Sequence, residues 1–92
     1  MKRVKTPLIS KTGHFRRFLR EKRMNAGFSQ VELAEILGYT SGQYISNIER
    51  GTCPFPTENL PLLAKVLQVP LAKLIRLLSR DFENALYERF KA

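Results

Sequence analysis

Gln43, Ser46 and Asn47 stand close together in the stretch GYTSGQYISNIERG, residues 38 to 51. Gln and Asn amides can donate and accept at once, which suits the N6/N7 edge of adenine in the major groove of duplex DNA. Gln43, Tyr44, Ser46 and Asn47 read as an outward polar face, with Ile45 and Ile48 turned inward. Gly42 has no side chain, so backbone or neighbouring groups there can approach DNA closely. Such a run is too short to hold a helix by itself and begins with a residue that helices disfavour. Other elements must position it.

No competing chemistry is visible. The chain has one His and one Cys, no glycine-rich phosphate loop and no carboxylate pair at working spacing, so neither catalysis nor a cofactor is expected. His14 reads as an exposed residue at a helix start, with nothing near it at metal-ligand spacing. Cys53 reads as a passive loop thiol; a single cysteine forms no internal disulfide and fits a reducing cytosol. No apolar run is long enough for a membrane span, and the basic N-terminus lacks a signal-peptide core, so a cytoplasmic protein is expected.

The charge distribution points the same way. The 92 residues carry a net charge of +8 with a pI near 10.2. Residues 1 to 23 hold nine basic side chains and one acid, Glu21, and account for all of that net charge. The remainder is balanced. A neutral body with a cationic end suggests an anionic partner, with nucleic acid ahead of a membrane surface.

The positioning elements are helical throughout. Residues 1 to 12 show no periodicity and read as a flexible basic arm. A first helix is predicted from about Gly13 to Asn25, with Phe15, Leu19 and Arg23 on one face and Gly27 closing it. Ser29 and Glu32 have capping-box spacing and open a second helix through Val31, Leu33, Ala34, Ile36 and Leu37, stopped by Gly38. The third helix is the opening stretch, capped by Thr40 or Ser41. TCPFP is a loop. Thr57 is expected to cap a fourth helix with Leu60, Leu63, Ala64 and Leu67 buried, and Pro70 to start a fifth. Leu71, Leu74, Ile75, Leu78, Phe82, Ala85 and Leu86 keep an apolar stripe running in that last helix towards Phe90.

Two helices joined at Gly38 make a helix-turn-helix unit. SQVELAEILG (29–38) followed by YISNIERG (44–51) resembles the Cro/lambda-repressor-like, or Xre, helix-turn-helix family, over roughly residues 15 to 78. The resemblance implies an all-α, five-helix lambda-repressor-like domain over 13–78, followed by a C-terminal helix extension over 79–92. It implies base reading by Gln43 and Asn47, with Ser46 and Gly42 beside them. It implies contacts to the DNA backbone from Gln30, Ser41, Tyr44, Arg50 and Thr52. Lys2, Arg3 and Lys5 of the arm, and Arg16 and Arg17 of the first helix, are further candidates for phosphate contact. Arg23 and Glu49 match a buried ion pair between the first helix and the end of the third. The chain departs from the family pattern in a turn one residue longer and an uncharged loop after Gly51, which shifts electrostatic load to the arm.

The expected function is sequence-specific binding of double-stranded DNA by a transcriptional regulator, a repressor by preference. It would act as a homodimer on an inverted repeat, with Phe82, Ala85, Leu86 and Phe90 as the dimer or partner interface. The alternative is an antitoxin or interaction protein that holds a protein partner on the last helix. A third reading is a sequence-indifferent binder driven by the arm.

Overall fold

Residues 13–91 are described in a computed structural model of the chain. Five α-helices follow one another: α1 (His14–Asn25), α2 (Gln30–Leu37), α3 (Gly42–Glu49), α4 (Leu60–Leu67) and α5 (Leu71–Phe90). A single 3-10 turn, Thr57–Asn59, precedes α4, and no strand occurs among the described residues. The arm residues Lys2, Arg3 and Lys5 lie outside the described residues.

Each helix places its apolar positions on one core. Phe15 and Leu19 come from α1, Leu33, Ala34 and Leu37 from α2, and Ile45 and Ile48 from α3. Leu60, Leu63, Ala64 and Leu67 enter from α4 and Leu74 from α5. Burying each of these large side chains is worth about 1.5–3 kcal/mol, which is what holds helices of eight residues that would not persist alone. The loop contributes Phe55, whose ring lies 5.6 Å from that of Phe15.

Local signals set the boundaries. Ser29 accepts from the Glu32 amide at 3.0 Å, while Glu32 accepts from the Ser29 amide at 2.8 Å, closing the capping box. Gly38 adopts φ 85°, the left-handed geometry that lets the chain leave α2 and turn directly into α3. Two expectations need correction. Ser41 occupies the N-cap position of α3, but its side chain makes no capping bond. Thr57 caps no helix. It begins the 3-10 turn, Asn59 stands at the N-cap position, and α4 starts at Leu60 with Pro61 in its first turn.

The last helix is continuous from Leu71 to Phe90, so the boundary expected at residue 78 marks no break. Packed on α1 and α4, α5 turns Leu74 and Ala85 into the interior. Asp81 reaches the start of α1, where its two oxygens accept from the His14 amide at 2.9 Å and the Phe15 amide at 2.8 Å. Gly13, the residue before α1, has no side chain to do this, and a carboxylate also suits the positive end of the helix.

Candidate nucleic-acid interface

The underside of α3 is held at both ends. Ile45 and Ile48 fill the core along its length. At its end, Glu49 is buried against Arg23 of α1: Arg23 Nε donates to Glu49 Oε2 at 2.6 Å and Nη2 to Oε1 at 3.0 Å. Arg23 Nη1 donates to the Phe28 carbonyl at 2.7 Å, and Gln30 Nε2 donates to Glu49 Oε1 at 3.0 Å. A two-pronged pair with its remaining groups hydrogen-bonded is the arrangement that offsets the desolvation of two buried charges. It joins α1, the start of α2 and the end of α3 at one point.

Three residues expected at the DNA backbone serve this same end of the helix. Arg16 is half-buried, and its Nη1 donates to the Glu49 carbonyl at 3.4 Å. Its side chain runs so close to Gly51 that a Cβ there would sit 2.9 Å from Arg16 Nε. Thr52 donates both its amide and its hydroxyl to the Asn47 carbonyl, each at 2.9 Å, closing the helix end. Gln30 likewise has one amide hydrogen committed to Glu49. Arg17 remains exposed on α1.

The start of α3 is set by contact with α2. A Cβ on Gly42 would lie 2.9 Å from Val31 Cγ2 and 3.0 Å from the Val31 backbone nitrogen. The missing side chain therefore lets α3 cross α2 closely, which corrects the expectation that it opens space towards DNA. Tyr44 is corrected too. It is half-buried, packed edge-on against Tyr39 with ring centroids 4.7 Å apart. Asn59 Nδ2 donates to the Tyr39 hydroxyl, tying these rings to the start of α4. Burial pushes the Tyr44 hydroxyl above its usual range, helped by Cys53, Tyr39 and Glu58 nearby, so it stays a neutral donor.

The outer face carries a polar network. Asn47 Oδ1 accepts from Gln43 Nε2 at 2.9 Å and from Arg50 Nη2 at 2.6 Å, so three side chains at i, i+4 and i+7 form one exposed cluster. Ser46 is half-buried beside it and Ser41 is exposed at the helix start. With Asn47 Oδ1 already accepting two bonds, the surface offers mainly donors: Asn47 Nδ2 and the Arg50 guanidinium, with Gln43 Oε1 as the acceptor. Donors of this kind suit guanine O6 and N7; a two-point contact of Asn47 with adenine requires the network to open.

Sequence reasoning missed Asp81, Phe55 and the Tyr39–Asn59 contact. Only Asp81 left a signal, in that Gly13 cannot cap α1 and an acceptor had to come from elsewhere. Among the described residues, no three His, Cys, Asp or Glu side chains gather to hold a metal ion, and no helix is long and apolar enough to cross a membrane.

Comparison with curated proteins finds no match. A family model described as Helix-turn-helix matches residues 19–74, more than half of the chain, and spans the α2–turn–α3 unit with its Arg23–Glu49 brace. The chain belongs to this Cro/C1-type helix-turn-helix family of DNA-binding regulators.

Proposed function

We propose that the chain is a sequence-specific repressor that lays α3 in the major groove and binds an inverted repeat as a homodimer. The observation that carries this reading is the exposed Gln43–Asn47–Arg50 network on a helix whose opposite side is fixed by two isoleucines and a buried ion pair. Preorganised polar side chains on a rigid element are what base readout needs. Gln43 and Asn47 read bases, with Ser46 beside them. Arg50 joins them, or reaches a phosphate beside Ser41, Tyr44 and Arg17. The basic arm, with Lys2, Arg3 and Lys5, adds contacts to phosphates or the minor groove. A regulator of this kind works at the nucleoid, in the cytoplasm.

The exposure of Phe82, Leu86 and Phe90 also favours a second reading, in which the chain is an antitoxin that holds a different protein on α5. Ala85, first grouped with these residues, is 3% exposed and offers nothing to a partner.

Selection of bound duplexes from a random pool, at physiological salt, tests the main reading. An enriched inverted repeat with half-sites about one helical turn apart supports it. Salt-sensitive binding without enrichment overturns it and shifts the weight to the arm. In the same assay Asn47→Ala is expected to cost about 1–3 kcal/mol at one base position and to relax the preference there. An unchanged preferred sequence would remove Asn47 from the set of readers.

A further inference from the structure

A cavity of about 420 Å³ lies beside the start of α1, between the loop that follows α3 and the middle of α5. Its deep part is apolar: Phe15, Ile48 and Phe55 are each almost fully buried, and Leu78 forms one wall. Exposed Thr57, Ser79 and Phe82 stand round the edge. Small-molecule sites occupy about 300–1,000 Å³ and combine an apolar lining with a few placed polar groups. This cavity has both properties.

Two charged side chains line it, and they differ in what they already hold. Both Asp81 oxygens accept from the first amides of α1, those of His14 and Phe15, so that charge is directed at the positive end of a helix. Arg16 is placed by backbone instead. Its side chain lies against Gly13 and Gly51, and a Cβ on either would overlap it. Both glycines have positive φ, 59° and 78°, a geometry that other residues resist. The Arg16 guanidinium reaches the Glu49 carbonyl at 3.4 Å, while the Glu49 carboxylate is taken by Arg23 and Gln30. A guanidinium fixed in apolar surroundings holds a carboxylate more strongly than one in open water, and its fork matches the two carboxylate oxygens. The net charge of +8 draws anions in and repels cations.

We propose that this cavity binds a small organic acid with an aromatic or aliphatic body, which lies against Phe15, Phe55 and Leu78 while its carboxylate pairs with Arg16. The site goes beyond the DNA reading and does not depend on it. It also touches α3 from its buried side, through Ile48 and through the bond from Arg16 to the Glu49 carbonyl. A carboxylate on Arg16 competes for that bond, so occupancy is felt at the last turn of α3.

Amide NMR of the full chain, titrated with naphthylacetate and with the neutral naphthylacetamide, tests this. Both probes are expected to shift the Gly13, Phe55 and Ser79 amides saturably, with the acid binding roughly tenfold or more tightly. The Arg50 amide, whose peptide carbonyl Arg16 holds, should move with the acid only. Arg16→Met should bring the acid down to the affinity of the amide, and Arg16→Lys should keep part of the difference, with circular dichroism confirming that both are folded. Ser79→Trp, on the exposed edge, should weaken both probes without altering Arg16. Absence of shifts at the cavity amides overturns the site. Shifts that Ser79→Trp leaves unchanged put the probe elsewhere and overturn it too. Equal affinities for acid and amide overturn the ligand class and the role of Arg16, and an unmoved Arg50 amide overturns the link to α3. Binding gained only when Leu8 and Ile9 of the arm are replaced by serine overturns the proposal in favour of the arm as occupant. Selection of DNA is a separate measurement, so each of these failures leaves the DNA reading standing.

Discussion

Glu49 accepts three hydrogen bonds from two side chains, and those bonds are the reason a carboxylate can be buried there. Removing it leaves the Arg23 guanidinium buried without its counter-charge. Glu49→Ala is therefore expected to lose about 3–5 kcal/mol of stability, read as a lowered denaturation midpoint. Its effect on DNA affinity should follow the folded fraction, which separates it from Asn47→Ala. Cys53 provides a pH test. Burial pushes its thiol above the usual cysteine value, so the folded state favours the neutral form. That contribution is fully present at neutral pH and is lost as pH rises through the raised value. Alkylation by iodoacetamide at neutral pH should be slower in the folded chain than in denaturant; equal rates would contradict the shift. Arg23 and Glu49 could be paired from sequence because both belong to a spaced motif. Arg16 could not be placed in the same way, because its neighbours Glu49 and Gly51 come from a different helix end.

At the scale of helices, the crossing of α2 and α3 depends on an absent side chain. Gly42→Ala would normally favour a helix, by about 1 kcal/mol from propensity alone. Here the added methyl group meets Val31 backbone that cannot rotate away, and overpacking of this kind costs about 1–3 kcal/mol. The variant is expected to be less stable than the wild type in chemical denaturation; a more stable protein would show that α3 can slide without penalty. Val31→Ala removes only the Cγ2 contact and should rescue the variant in part. Helix order and most boundaries were legible because caps and apolar spacing are local: Ser29 with Glu32, Gly38, and the stripe of α4. The start of α4 was less so. With proline at 54, 56 and 61 the chain enters through a tight 3-10 turn, in which Thr57 has no helix to cap. Likewise, apolar spacing marked Val31, Ile36, Leu71 and Ile75 without revealing that these faces stay exposed, since periodicity identifies a stripe but not what covers it.

Across the whole molecule, Asp81 joins the last helix to the first. Asp81→Ala should leave the first amides of α1 without their acceptor and cost about 0.5–2 kcal/mol, the range for losing a helix cap. Hydrogen exchange would locate the effect: the His14 and Phe15 amides are expected to lose protection first, while Leu33 and Ile45 keep theirs until global unfolding. Uniform loss of protection would mean that the contact supports the entire core. This contact was beyond sequence reading because it joins residues 66 and 67 positions apart, and no local pattern reports such a pairing.

Its position gives the contact a meaning in time. A chain is made from its N-terminus, so α1 is synthesised before α5, yet its leading amides wait for Asp81. Until α5 has been made the first helix has an open end, and the core face it shares with α5 lacks Leu74. The ordering of α1 therefore follows the synthesis of α5 rather than its own. A ribosome stalled after α4 would display a recognition helix of the right sequence on a domain that had not yet closed.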